Sequence, residues 1–167
     1  MPEHALLLSI RPKHAARIFD GTKTVELRRV RPRLGGGDLV LVYVSSPVKA
    51  MLGAFEVAFV VAARPAELWN RVKSKAALTR DDYDEYYREA KMAYGIFLKR
   101  KWTLDKPVGL EDLRERAANF RPPQSYHYMT AAQAQSIGLN KLLKNGRTLA
   151  NHTETLSHLR DFRRKEG

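Results

Sequence analysis

The six residues Leu39–Val44, LVLVYV, are apolar or β-branched without a break. Successive side chains of a strand point to opposite faces, so this run needs cover on both sides and reads as a central strand. The rest of the chain must be arranged around it. Residues 5–10 are a second apolar run of strand length, and residues 51–63 a third, long enough to bend at Gly53 or beyond. Residues 24–29 differ: Val25 and Leu27 alternate with Thr24, Glu26 and Arg28, a period of two that gives one apolar and one polar face. Residues 94–98 read as strand again, with Trp102–Leu104 continuing it beyond the basic interruption at Lys99, Arg100 and Lys101. Tyr126, His127 and Tyr128 enter a last strand.

Helices lie between these runs. Pro12 suits the first turn of a helix, Ala15, Ile18 and Phe19 share one face, and Asp20-Gly21 stops it. Pro65 opens a second helix with Leu68, Trp69 and Val72. Thr79, with Asp82 three residues on, resembles a capping box before Tyr83, Tyr86 and Tyr87, whose helical spacing favours packing against the domain. Residues 110–117 and 130–137 are further helices, and Arg121-Pro122-Pro123-Gln124-Ser125-Tyr126 is an ordered loop or edge strand. Gly35-Gly36-Gly37-Asp38 is a turn. Five or six strands with interposed helices, but no regular βαβ alternation, predict an α+β fold with a small mixed β-barrel. Beyond Leu139 the pattern weakens to a basic stretch with a terminal helix expected at 153–162. The expected organisation is a main domain over 1–129 and a basic helical C-terminal extension over 130–167.

Charge narrows the partners. Thirty Lys and Arg stand against 18 Asp and Glu, a net +12 with a pI near 10.1. That excess favours polyanions, nucleic acid before anionic membrane. Residues 11–33 alone hold eight cations (Arg11, Lys13, Arg17, Lys23, Arg28, Arg29, Arg31, Arg33) against Asp20 and Glu26. Cysteine is absent, which excludes disulfides, thiol nucleophiles and thiolate metal sites. No signal peptide and no membrane span are read, so a cytoplasmic protein is expected. The five histidines form no H-x-x-x-H pair, and neither a phosphate-loop nor a dinucleotide-binding motif occurs, so no metal and no cofactor are expected.

The chemistry concentrates at Gly21-Thr22-Lys23-Thr24-Val25-Glu26-Leu27-Arg28-Arg29. Glu26 and Arg28 share the strand face opposite Val25 and Leu27. Arg28 offers a planar fork for phosphate or a base edge. Glu26 would orient Lys23 or Arg28, or accept from an exocyclic amine. Neighbouring cations would lower a lysine's pKa and Glu26 would raise it; the balance decides whether Lys23 acts as a base. The plain alternative is a solvated strand face with weak surface ion pairs. Tyr126, Tyr128 and Trp102 are stacking candidates beside Arg121 and Lys101.

Together these stretches resemble a known family. Leu8-Ser9-Ile10-Arg11-Pro12, the 21–29 segment, Gly37-Asp38-Leu39-Val40-Leu41-Val42-Tyr43 with Ser45-Ser46-Pro47, the Pro65-Ala66-Glu67-Leu68-Trp69 helix and the Arg121–Tyr126 loop are similar to ASCH domains over roughly residues 5–129. The closing loop resembles the subgroup called predicted transcriptional regulators. The resemblance implies a PUA-like barrel with a cleft beside the first helix, and a role in RNA binding or RNA metabolism. It also implies two enzymatic alternatives. One relative is a ribonuclease. Another branch hydrolyses N4-acetylcytidine with a Lys, a Thr three residues later and a distant Glu; Lys23 matches the lysine, Glu26 stands in the threonine position, and Glu56 and Glu67 are candidates for the glutamate. The expected partner is RNA, with single-stranded DNA or a nucleotide as alternatives, and no membrane. Catalysis would fall to Lys23, Glu26 and Arg28, and nucleic-acid binding to Arg11, Lys13, Lys23, Arg28, Arg29, Ser45, Lys49, Arg121, Gln124, Ser125 and Tyr126. A duplex-DNA regulator would need a helix-turn-helix, for which the sequence gives no convincing pattern.

Overall fold

The computed structural model describes residues 4–143. The elements run β1 (His4–Ile10), α1 (Pro12–Asp20), β2 (Val25–Arg28), β3 (Leu39–Val44), β4 (Ala50–Ala63), α2 (Pro65–Val72), α3 (Arg80–Tyr87), β5 (Ala93–Gly109), α4 (Leu110–Arg116), β6 (Tyr126–Thr130), α5 (Ala131–Ser136) and α6 (Asn140–Leu143). The strands form one six-stranded sheet in the order β2-β5-β4-β3-β1-β6. β1 and β3 are parallel, and the other neighbouring pairs are antiparallel.

The mixed α+β class holds, but the expected barrel does not: β2 and β6 lie at opposite edges, and no ladder joins them among the described residues. These edge strands have four and five residues, few backbone groups for a closing ladder. β3 is buried at every position, as its unbroken apolar run requires. Val40, Val42 and Val44 pack with Ala15, Ile18 and Phe19 of α1. Leu39, Leu41 and Tyr43 pack on the other face with Trp102, Leu113, Phe120 and Met129. A third cluster joins Val25 and Leu27 of β2 to Leu68 and Val72 of α2 and Tyr83 and Tyr87 of α3.

The basic interruption does not end β5, which runs 17 residues through it while Lys99 and Arg100 pair with Glu56 of β4. β4 changes register beside Gly53, where a side chain would be driven into the Trp102 carbonyl. Ala134, Leu139 and Leu142 share the Trp102 cluster, and Trp102 Nε1 donates to the Leu142 carbonyl at 3.2 Å. The helix expected at 153–162 lies outside the described residues.

Candidate functional site

The site begins where the parallel pair ends. β1 closes on Ser9 and Ile10, and the Ser45 amide after β3 donates to the Ile10 carbonyl at 2.9 Å. Arg11 then starts α1, with Pro12 in the first turn. At the other end of α1, Gly21 takes the left-handed conformation (φ 88°) and turns the chain. The Lys23 amide bonds back to the Arg17 carbonyl at 2.9 Å, and the Thr24 amide to the Lys75 carbonyl at 2.9 Å. This double anchor sends β2 alongside α1, with Glu26 and Arg28 turned away from the Val25–Leu27 cluster.

That polar face is not solvated. Glu26 is 5 % exposed and Lys23 3 %. Lys23 Nζ lies 2.9 Å from Glu26 Oε2, at an angle outside hydrogen-bond geometry, and Arg28 lies 3.1 Å from Oε1. Arg28 also donates to the Ser9 carbonyl at 3.2 Å, tying β2 to β1 across the cleft. Burial alone would push the Glu26 carboxyl up, but the charges of Lys23 and Arg28 hold it below the usual carboxylate range. Glu26 is therefore a carboxylate bridging two cations, and the surface-ion-pair alternative does not apply.

Around this triad lies a cleft of about 540 Å³ lined by Ser9, Arg11, His14, Arg29, Ser45 and Tyr86, with Gln124 and Ser125 among others. Ser9 fixes the last wall: its hydroxyl donates to the Pro123 carbonyl at 2.5 Å, and its amide to the Ser125 carbonyl at 3.2 Å. Arg11, Lys23, Arg28 and Arg29 are four cations against one carboxylate among the lining residues. A second lobe of about 610 Å³ shares Arg11, His14, Ser45, Leu78 and Tyr86 and adds Lys13, Asp82 and Glu85. Opposite α1, α3 supplies the wall. Tyr86 and Tyr87 donate their hydroxyls to the Leu27 and Arg28 carbonyls at 3.3 and 3.1 Å. Burial raises both phenols.

The structure thus brings Arg11, Lys23, Glu26, Arg28, Arg29, Ser45, Gln124 and Ser125 to one cleft, with Lys13 on the adjoining lobe. It places three candidates elsewhere. Lys49 is exposed in a left-handed turn (φ 50°) before β4 and does not line either lobe. Arg121 lines a separate pocket with Phe120, His127 and Tyr128. Tyr126 donates to the Arg31 carbonyl at 3.3 Å, bracing the loop that follows β2. Trp102 is core rather than a stacking surface. Neither Glu56, which is paired with Lys99 and Arg100, nor Glu67 lines the cleft. His14 lines it without having been anticipated, and so does Tyr86, for which the helical spacing favours packing over base stacking. His14 sits on the polar side of an amphipathic helix, and the tyrosine triplet gave no sign of which ring would face outward. Among the described residues no group of three or more His, Asp or Glu side chains is placed to hold a metal ion, and no helix is long and apolar enough to cross a membrane.

The chain is similar to known proteins in sequence and in fold. The ASCH domain family model covers residues 8–107. A protein of Zymomonas mobilis named ASCH domain-containing ribonuclease is 31% identical over 131 residues, 78% of this chain and 88% of that protein. The crystal structure of ASCH from Zymomonas mobilis superposes with a TM-score of 0.74 at 29% identity, over 80% of this chain and 92% of that one. The N-terminal domain of Staphylothermus marinus McrB gives a TM-score of 0.53 at 11% identity, over 85% and 94% of the two chains, a likeness of fold alone.

Proposed function

Since the chain belongs to the ASCH domain family, we propose that its cleft binds single-stranded RNA and cleaves it. The observation that carries the binding reading is the buried Lys23–Glu26–Arg28 bridge. Glu26 holds two cations in fixed positions at the floor of the cleft, with Arg11 and Arg29 at its mouth. Such an arrangement suits a backbone phosphate: the Arg28 fork and the Lys23 ammonium take its oxygens, and the exposed cations track its neighbours. Gln124 and Ser125 add donors and acceptors for a sugar or base edge. Two joined lobes give room for more than one nucleotide. RNA is favoured over DNA or a free nucleotide by the ribonuclease name of the Zymomonas relative.

The same name favours cleavage over binding alone. In that reading Lys23 and Arg28 stabilise the charge that builds on the phosphate, and Glu26, held ionised, positions both. The test is labelled single-stranded RNA incubated in EDTA with wild type, Lys23→Ala and Arg11→Ala. Native gels read binding and denaturing gels read cleavage. Arg11→Ala strands no buried charge, so its loss of affinity reports the site rather than the fold. Wild type that shifts and cuts RNA supports the whole reading; a shift without cutting leaves binding alone; no shift at low salt sinks it.

A further inference from the structure

We infer that His14 is the group that accepts the 2′-hydroxyl proton in this cleft, a role that rests on the ribonuclease reading above and deepens it. The argument begins by elimination among the lining groups. Both Glu26 oxygens lie against cations, Oε2 against Lys23 and Oε1 against Arg28, so the carboxylate is committed to holding them. Arg11, Arg28 and Arg29 cannot give up a proton in a protein. The Lys23 ammonium is bound to Glu26 and has no free lone pair. The Ser9 and Tyr86 hydroxyls are donated to the Pro123 and Leu27 carbonyls.

His14 remains. It stands at the junction of the two lobes, lining both. Its Nδ1 is buried with no hydrogen-bond partner among the described residues. Because Nδ1 is sealed from the cleft, Nε2 is the ring nitrogen left to meet a substrate group. Its surroundings keep the ring neutral. Burial, followed by the Lys23 charge, lowers His14 to about 4; Glu26 acts the other way, and Arg17 and Lys13 add to the lowering. Arg11, Arg28 and Arg29, and Asp82, Glu85 and Tyr86 from α3, complete the charged and titratable groups around the two lobes. A neutral imidazole has one nitrogen with an open lone pair. A phosphate seated on Lys23 and Arg28 would offset the cationic field on the ring, and the imidazole would become more basic when substrate is bound.

The step balances within the cleft. The 2′-oxygen attacks the adjacent phosphorus as its proton passes to the His14 imidazole. The P–O5′ bond breaks, and the departing 5′-oxygen takes a proton from the Lys23 ammonium. The products are a 2′,3′-cyclic phosphate and a 5′-hydroxyl end. Lys23 and His14 then exchange the proton back through water.

The experiment compares wild type, His14→Gln and His14→Ala on 5′-labelled RNA and on the same sequence as DNA, in EDTA. Native and denaturing gels are run together, across pH and with added imidazole. Wild type should cut RNA to cyclic-phosphate ends and bind DNA without cutting it. Both variants should bind RNA within about twofold of wild type and cut it at least about 100-fold more slowly. Imidazole should restore part of the His14→Ala rate. The wild-type kcat/KM should fall on acidification near the free-enzyme value of His14, with kcat falling at higher pH, and the variants should lose both limbs. Variants that cut within about threefold of wild type, or lose cutting only in proportion to binding, overturn the role of His14 and leave the ribonuclease reading standing. Wild type that binds RNA and never cuts it removes the ribonuclease reading and this role with it.

Discussion

Replacing Glu26 by Gln should be the most damaging single change of charge in the cleft. The substitution keeps the shape and deletes the counter-charge. At an effective dielectric constant of about 20, unit charges at 2.9 and 3.1 Å attract by roughly 5–6 kcal/mol each. Much of that is offset by dehydration, because Lys23 and Glu26 are nearly sealed and the Arg28 side chain is 11% exposed. The variant keeps the dehydration of the cations and loses the attraction, so the expected cost is about 3–5 kcal/mol. For a domain of this size each kcal/mol is about 2–4 °C, so the melting temperature should drop on the order of 10 °C. Thermal and urea unfolding of wild type, Glu26→Gln and the double variant Lys23→Met/Glu26→Gln read this directly. The double variant removes one stranded cation and should recover part of the loss. A single variant that melts within about 2 °C of wild type, or a double variant less stable than the single, would refute the buried bridge.

Four further outcomes are expected. His14 is lowered in the fold from 6.5 to about 4, so between those values the unfolded chain binds more protons. Stability should be full above pH 6.5 and fall by about 1–2 kcal/mol towards pH 4, allowing for partial exposure; His14→Gln should flatten that window in urea midpoints, and an unchanged slope would count against it. The Glu26 contribution should be lost only at lower pH, as its depressed carboxyl protonates. RNA affinity should fall with salt at a log–log slope of about −2 to −3, and Arg29→Ala should reduce the slope by about 0.7; a slope near zero would exclude phosphate contacts. Gly53→Ala would press a methyl group into the Trp102 carbonyl and against the Phe19 ring at 3.0 Å, so its urea midpoint should report a loss of about 1–3 kcal/mol.

Local patterns carried much of this structure. The unbroken Leu39–Val44 run and the Pro12-to-Gly21 helix were legible because burial period and backbone punctuation are short-range signals. The alternation at β2 correctly separated Glu26 and Arg28 from Val25 and Leu27. It could not show that the polar face is buried, because α3, which walls it, lies more than fifty residues downstream. Closure of the sheet is likewise a matter of distant pairings, so the strand count could not distinguish an open sheet from a barrel. Arg121 and Tyr126 were grouped with Gln124 and Ser125 by proximity in sequence. The chain turns through Ser125 onto the sheet edge, and only the middle of that loop reaches the cleft. His14 carried no pattern of its own. Its place depends on where the anchor at Lys23 and Thr24 sends the next strand.

The Tyr86 hydroxyl on the Leu27 carbonyl has a consequence beyond the cleft. β2 is an edge strand, and such an edge is a ready template on which another chain can build a strand. The Leu98 amide bonds the Thr24 carbonyl, so the carbonyls of Glu26 and Arg28 face β5 and that of Leu27 faces the free edge; Tyr86 takes this acceptor, which an incoming backbone would need. The strand that carries Glu26 and Arg28 is therefore a poorer template for β-augmentation than a bare edge. A peptide or second copy joining this sheet by backbone pairing finds a freer edge at β6, at the opposite end of the strand order.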